Sequence, residues 1–276
     1  MKLLAAFALC TSVYGDAPST PCTADEDCIG AGLRCLPSPG GAPCTLDYKY
    51  NETGFCACLP QSCESFSYPP ATPGKKQWLV WGDSISMGYT GPLRDSAKAD
   101  FDVWHVGSSK EPINCDNAYF ASRCMGGWLG ENASRWDVVS YNAGLHDLAF
   151  PDNEHLSTTS YSAFLQEVLA YLGKALRPDA TLLWMTTTPV PSSPPPNCTL
   201  IPGRVESSVL AYNAAAAEVV AKLPSVKVCD LHAAITAYCG VGYSSCNISQ
   251  CAGPHFTSEG WQLLATTAEG CLGGQR

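Results

Sequence analysis

Short apolar segments alternate with helical patterns through most of the chain, and this alternation is the feature that most restricts its fold. Buried strands are predicted at 77–81, 136–143, 180–188 and 226–231. Amphipathic helices are predicted at 160–176, 209–223 and 257–270. Strands that alternate with helices build a parallel sheet that is covered on both faces. The sequence therefore predicts an α/β domain, a three-layer sandwich with a central parallel sheet.

The first 15 residues have the pattern of a secretory signal. Lys2 precedes the apolar run LLAAFALC, and small residues before and at Gly15 suit a cleavage site there. A buried helix is the alternative, but the segment is short and the DAPSTP that follows is typical of a loop. We expect a signal peptide at 1–15 and a secreted protein.

The cysteines support an oxidising compartment. The chain has 16 cysteines, and Cys10 lies in the expected signal. Most of the others should pair, and their odd number leaves a thiol, an intermolecular bridge or a different cleavage site. Seven of them lie between 22 and 63, in a segment rich in glycine and proline that has little core of its own. Cys115 is expected in a disulfide, with Cys124 as one candidate partner.

These patterns divide the chain into four parts. After the signal at 1–15, a cysteine-rich disulfide module is predicted at 16–66 and a linker at 67–76, where Pro and Gly punctuate the sequence. The α/β domain is predicted at 77–276. Sequons of the N-x-S/T type fit a glycoprotein and occur at Asn51, Asn132, Asn197 and Asn247.

Charge and composition exclude several classes of partner. A net charge of −9 argues against nucleic acid and against an anionic membrane surface. No apolar run after the first residues is long enough for a membrane span. The cysteines form no C-x-x-C pair, so no zinc site is expected, and the sequence predicts no metal and no cofactor.

Polar turn residues follow the first two predicted strands, where parallel sheets form their sites. Ser84, in GDS, would be a nucleophile only with a base within reach, usually histidine. His255, in a loop before the last helix, is the first candidate base, and His146 is the second. The alternative is an ordinary polar turn that Asp83 simply caps. Three histidines are set aside: His105, His155 and His232.

Several of these segments together resemble the SGNH, or GDSL-type, hydrolases. The strand and turn WLVWGDSIS resemble the first block of that family, NAGLHD the third and AGPHFTSEGW the last. INCDNAYFASRCMGGWLG, WDVVSYNAGLHDL and LLWMTTTPVP are similar to a bacterial branch. The resemblance covers most of 77–270, with the blocks in the family's order, and implies an SGNH, flavodoxin-like sandwich preceded by the small disulfide-rich module.

The resemblance also implies roles for the site residues. Ser84 resembles the nucleophile and also offers a backbone oxyanion donor, and His255 resembles the base. A second backbone donor falls at Asp116, in the segment NCDNA that begins with Asn114. The third donor, an asparagine side chain in the family, would be His146.

One departure concerns the orientation of the base. The family has an aspartate three residues before the histidine, and this chain has Ala252 there. The base and nucleophile would then act as a dyad, with a backbone carbonyl holding the ring, or Asp230 or Asp147 would reach the histidine instead. Asp83 and Asp147 are otherwise expected to support the site through hydrogen bonds.

The activity implied by the resemblance is two-step hydrolysis of O-acyl esters, short-chain or acetyl. The substrate would be a small ester or an acylated polysaccharide. Two alternatives stay open: an O-acyltransferase with the same chemistry, and a carbohydrate-binding protein whose catalytic site has decayed. A further hypothesis is that the cysteine-rich module contacts an extracellular polymer.

Overall fold

The computed structural model describes ten parts of the chain: 34–37, 54–57, 66–107, 112–115, 117–130, 132–149, 156–191, 204–240, 246–250 and 254–273. The expected signal lies outside these residues. Of the cysteine-rich module, the structure describes two short strands, β1 (Arg34–Pro37) and β2 (Gly54–Ala57), which pair antiparallel. The boundaries of signal, module and linker stay predictions.

A five-stranded sheet forms the centre of the α/β domain. Its strands are β3 (Lys76–Trp81), β4 (Phe101–His105), β5 (Val138–Tyr141), β6 (Thr181–Met185) and β7 (Val226–Cys229). All neighbours pair parallel, in the order β4-β3-β5-β6-β7. The predicted central parallel sheet is confirmed.

Helices cover the two faces of this sheet. They are α1 (Ser84–Ala97), α2 (Ala118–Trp128), α3 (Thr158–Ala175), α4 (Glu206–Val220), α5 (Leu231–Cys239) and α6 (Ser258–Gly270). α6 packs against α1 and α5, while α3 packs against α2 and α4. Two helical layers with a sheet between them make the predicted three-layer sandwich.

The first strand of the sheet is fully buried, which explains its unbroken apolar sequence. Residues Trp78 to Trp81 have no exposed surface, as expected for a strand covered on both faces. Trp81 makes edge-on contact with Trp128 and a tilted contact with Tyr141. These aromatic contacts pack the centre of the sheet against α2 and fix the position of the carboxyl end of β3.

The order of the strands locates the site. β3 is flanked by β4, which follows it in the chain, and by β5, which comes next. The strand order therefore reverses at β3 and β5. In open parallel sheets the crevice at this reversal, beyond the carboxyl ends of the strands, is where ligands bind. The turns at 82–84 and 142–147 both lie there.

Disulfides link elements within the last third of the domain. Cys229 pairs with Cys271, and Cys239 pairs with Cys246. The predicted pairing of Cys115 with Cys124 is wrong. Cys124 is disulfide-bonded, whereas the buried Cys115 keeps a thiol whose Sγ lies 3.9 Å from the carbonyl oxygen of Ile113 two residues back. Its side chain is directed into the core of the domain, where it is 1% exposed.

None of the helices in the described ranges is both long enough and apolar enough to cross a lipid bilayer.

Candidate active site

Ser84 is the first residue of α1, directly after the buried strand β3. Asp83 is the N-cap of the helix, and its Oδ1 accepts a hydrogen bond of 2.9 Å from Ile85 N. The N–H groups of the first turn have no partner inside a helix, so the Ser84 N–H is directed outward at the helix start. The turn thus presents both a hydroxyl and a backbone donor at the edge of the sheet.

Gly82 lets this turn lie close to β5. A Cβ atom at Gly82 would lie 1.9 Å from Asn142 Oδ1 and 2.9 Å from Ser86 Oγ. Asn142 comes directly after β5, and its Nδ2 lies 3.5 Å from Asp83 Oδ1. A side chain at position 82 would therefore separate the two strand ends that form the crevice.

His255 reaches this turn from the other end of the domain. The Ser84 Oγ and the His255 Nε2 are 2.8 Å apart, which is hydrogen-bonding distance. The short segment 248–250 holds the loop, since Gln250 N donates to the His255 carbonyl and Thr257 N to that of Ile248. Phe256 is fully buried and packs edge-on against Trp261 in α6, so the histidine stands on a fixed loop.

Burial is the main influence on the charge of His255. It lowers the pKa of the half-buried ring below 6.5, because the charged form loses solvation. The carboxylate of Asp83 acts in the opposite direction, and Arg204, together with His146 whenever its ring is protonated, lowers the pKa further. The ring is therefore mostly neutral near pH 7, the form that accepts a proton from serine.

Burial has the opposite effect on Asp83. The pKa of this fully buried carboxyl is raised, because burial disfavours the carboxylate more than its neighbours favour it. A protonated His146 and the N–H of Ile85 are the largest of the influences that favour the ionised form.

Two further predicted site residues lie together at the crevice. Asn114 Nδ2 is 3.4 Å from His146 Nε2, and the segment that carries Asn114 is attached to the nucleophile turn by a bond of 3.0 Å from Cys115 N to Gly82 O. When the Asn114 amide donates in this pair, His146 Nε2 is the acceptor and the ring hydrogen lies on Nδ1. Asp116 lies outside the described residues.

Asp147 anchors a helix and, among the described residues, makes no hydrogen bond to the candidate base. Its two carboxylate oxygens accept from Ala118 N at 3.0 and 3.2 Å and so anchor the start of α2. Asp230 caps α5 at Ala233 N and accepts from Thr186 Oγ1. Within the described part of the chain, neither carboxylate bonds His255, and the ring Nδ1 of His255 has no hydrogen-bond partner there. Ala252 is outside the described residues.

The remaining histidines have other partners. His232 Nε2 bonds Glu206 Oε1 at 2.7 Å, away from Ser84. His105 is the last residue of β4 and lies deep under α1, where its Nε2 is 2.7 Å from Ser86 Oγ. His155 lies outside the described residues.

Sequence reasoning did not single out Asn142, Ser86 or Arg204. Asn142 had a usable signal, because it is the first polar residue after a buried strand, at the end where sites form. Ser86 lies in the quoted GDSIS but contacts His105 only through the pairing of β3 with β4. Arg204 precedes α4 and donates to Leu145 O at 2.7 Å, a contact between distant segments for which the sequence carries no signal.

Several solved structures have a fold similar to this one. An acetyl xylan esterase has a TM-score of 0.55 at 15% identity, covering 71% of this chain and 99% of that one. A protein from Streptococcus pneumonia, provisionally described as a platelet activating factor, gives 0.57 at 14% over 72% and 84%. The chain has the fold of the SGNH hydrolases.

A third similar structure is a gut microbial diltiazem-metabolizing enzyme, with a TM-score of 0.54 at 13% identity over 77% of this chain and 49% of that one. No family model matches the sequence, and no curated protein matches it significantly. At these identities the SGNH likeness concerns the fold alone.

Proposed function

We propose that this protein is a serine esterase that hydrolyses short-chain O-acyl esters through a Ser84–His255 dyad. The observation that carries the proposal is the 2.8 Å contact between Ser84 Oγ and His255 Nε2 at the strand reversal of an SGNH-type sheet. A serine hydroxyl beside a neutral imidazole is the arrangement that nucleophilic catalysis requires. The low pKa of the ring keeps it in that form.

The reaction follows in two steps. Ser84 Oγ attacks the acyl carbonyl carbon while His255 Nε2 takes the hydroxyl proton, and the histidine returns this proton to the leaving alkoxide. Water then attacks the acyl-serine, again losing its proton to His255, and the free acid and Ser84 are restored. The Ser84 N–H, at the start of α1, stabilises the negative oxygen in both transition states, aided by the helix dipole.

The other oxyanion donors would come from the opposite wall of the crevice. Asn114 and His146 lie there in contact with each other, and both side chains offer N–H donors. His146 in place of the family's asparagine keeps a donor and adds a group that can become charged. Asp116 would contribute its backbone N–H, as the resemblance implies.

The substrate class rests on the fold. The similar acetyl xylan esterase supports an acetyl or other short acyl group, on a small ester or on a polysaccharide. Disulfides between Cys229 and Cys271 and between Cys239 and Cys246 support secretion, since such bonds persist in oxidising compartments. We further propose that the predicted module at 16–66 contacts an extracellular polymer. Pull-down of the protein on insoluble polymer, with and without residues 16–70, tests this contact.

Ester hydrolysis by matched variants tests the proposed activity. Purified protein is assayed with p-nitrophenyl acetate, butyrate, octanoate and dodecanoate, beside Ser84→Ala and His255→Gln. Ser225→Ala, an exposed serine before β7, is the control. We expect acetate to react fastest, the control to match the wild type, and each site variant to lose at least about a thousandfold in rate. Equal activity in Ser84→Ala and wild type would exclude Ser84 as nucleophile.

The two alternatives give different products. If a sugar alcohol is added with the acyl donor, hydrolysis yields free acid, whereas an acyltransferase yields acylated sugar. A binding protein with a decayed site yields neither at a rate above the buffer, yet retains the carbohydrate on an affinity column.

A further inference from the structure

A second serine–histidine pair lies buried beneath the nucleophile turn. Ser86 Oγ is 2.7 Å from His105 Nε2 and 2.7 Å from the carbonyl oxygen of Asp83. Neither side chain reaches solvent, since Ser86 is 0% and His105 2% exposed. This pair contacts no substrate in the proposed reaction, although it lies directly under the turn that carries Ser84.

The hydrogens of the pair can be counted. His105 Nδ1 lies 3.0 Å from Val106 O, which can only accept, so Nδ1 carries the hydrogen of the neutral ring. Nε2 is then an acceptor, and the single hydroxyl hydrogen of Ser86 faces two acceptors, Nε2 and Asp83 O. Burial lowers the pKa of His105 to about 4, so the ring is neutral at pH 7, and Arg94 is the charged neighbour that lowers it further.

The carbonyl that Ser86 contacts is part of the peptide unit that carries the Ser84 N–H. A peptide unit is planar, so the direction of the Asp83 C=O fixes the direction of the Ser84 N–H on its opposite side. The same carbonyl also accepts from Met87 N at 3.1 Å, as the first bond of α1. Holding this oxygen therefore aims the backbone donor at the position of the developing oxyanion.

The end of β4 also holds the other wall of the crevice. Val106 O, which receives the His105 Nδ1 hydrogen, accepts from Ile113 N at 2.9 Å. Residue 115 is bound in turn to Gly82 O. The strand end beside His105 is thus connected to the segment that carries Asn114 as well as to the turn that carries Ser84.

We propose that His105 is a positioning residue for the active site, acting through Ser86 on the Asp83–Ser84 peptide. The inference rests on the proposed esterase function, because it concerns the oxyanion donor of that reaction. The single Ser86 hydrogen is shared between His105 Nε2 and Asp83 O, both 2.7 Å from Oγ, so His105 fixes the position of the Ser86 hydroxyl against the turn. The planar peptide carries that constraint to the Ser84 N–H.

Four variants and one control test this role. Ser86→Ala, His105→Leu and the double variant remove the pair, and His105→Gln restores a polar partner. Ser122→Ala is the matched control, because Ser122 is also buried and its hydroxyl also donates to the carbonyl three residues back, at 2.8 Å. The measurements are kcat and KM for p-nitrophenyl acetate, the rate of Ser84 labelling by a fluorophosphonate, and hydrogen exchange of the Met87 amide.

We expect kcat and the labelling rate to fall by about 10- to 100-fold in Ser86→Ala and His105→Leu, with KM unchanged. The double variant should lose no more than either single one, since the two residues act as a unit. His105→Gln should recover part of the rate, and Met87 exchange should rise in Ser86→Ala but not in Ser122→Ala.

Rates in Ser86→Ala equal to those of Ser122→Ala would overturn the proposal, as would single losses that multiply in the double variant. Failure of the esterase function is a separate result: wild-type protein that neither labels nor hydrolyses esters. Hydrogen exchange then decides the positioning role by itself. Unchanged exchange of the Met87 amide in Ser86→Ala would reject the positioning of the Asp83–Ser84 peptide by Ser86, and faster exchange would support it.

Discussion

At the scale of single residues, the charge of His255 controls the reactivity of Ser84. No carboxylate bonds its Nδ1 within the described residues, so the surroundings of the ring have to set its charge. Burial, Arg204 and His146 all lower the pKa, and Asp83 raises it. A base with a pKa below 6.5 is available at neutral pH without an orienting aspartate, although its imidazolium is stabilised less well in the transition state.

Removal of the Arg204 charge should shift the pH dependence of the reaction. The base works only when neutral, so kcat/KM falls as the pH drops through the pKa of His255, below 6.5. Arg204 lowers this pKa, and Arg204→Gln should raise it, moving the acid limb to higher pH. Arg177→Gln is the control, because Arg177 pairs with Asp137 and does not influence His255. An acid limb that stays in place or moves to lower pH in Arg204→Gln would contradict this electrostatic account.

The sequence could point to Ser84 and His255 because each lies in a short motif at a predictable place on an element. It could not point to the Ser86–His105 pair, which exists only because β3 and β4 are neighbours in the sheet. Asn142 and Gly82 are a similar case, since their close approach depends on the pairing of β3 with β5. Contacts between neighbouring strands can be predicted only when the order of the strands in the sheet is known, and local sequence patterns do not give that order.

At the scale of elements, the contact between α1 and α6 brings nucleophile and base together. α1 begins at Ser84, and α6 follows His255 by three residues. Gly88 is where the two helices meet: a Cβ atom there would lie 2.6 Å from the ring of Trp261. The absence of a side chain at Gly88 lets the Trp261 ring lie against α1.

A methyl group at Gly88 should therefore separate the helices. Gly88→Ala is expected to lower the melting temperature and to reduce kcat more than KM, because the clash displaces the loop that carries His255. Gly173→Ala is the control: it is an exposed helical glycine in α3 with only ordinary contact at 3.6 Å. That variant should gain about 0.5 to 1 kcal/mol in unfolding free energy through helix propensity alone. Thermal unfolding and ester kinetics measure both effects, and equal behaviour of the two variants would be the contrary result.

The sequence predicts some helices of the domain but not others, and the difference has physical reasons. The predicted helix at 160–176 corresponds to α3, whose apolar residues at spacings of three and four are the buried ones. α2 contains two adjacent glycines, which weaken the helical signal, and α5 is a nine-residue helix separated from β7 by a single residue. Neither was predicted, because packing rather than local pattern stabilises them.

At the scale of the whole molecule, the buried His105 couples folding to pH. Its pKa is about 4 in the folded protein and 6.5 in an exposed ring. The unfolded chain therefore binds the proton first as the pH falls. The stability that the neutral ring contributes is complete above pH 6.5 and is lost between about 6.5 and 4, by roughly 3 kcal/mol in total.

This coupling predicts a difference between two unfolding curves. Wild type should lose unfolding free energy relative to His105→Gln as the pH falls from 7 to 4, because the variant has no proton to take up at that position. Urea unfolding at half-unit pH steps measures the difference, and other titrating groups cancel between the two proteins. Parallel curves over this range would show that His105 is not buried in its neutral form.

The proposed reaction depends most on Ser84 being an activated nucleophile, and covalent labelling tests that directly. Folded protein is treated with a fluorophosphonate at pH 7, and the modified peptide is identified by mass spectrometry. We predict a single adduct on Ser84, absent after unfolding in urea, and slowed at least about a hundredfold in His255→Gln, with Ser225→Ala reacting as wild type. A folded protein that remains unlabelled at Ser84, or one that labels equally well without His255, would contradict the account.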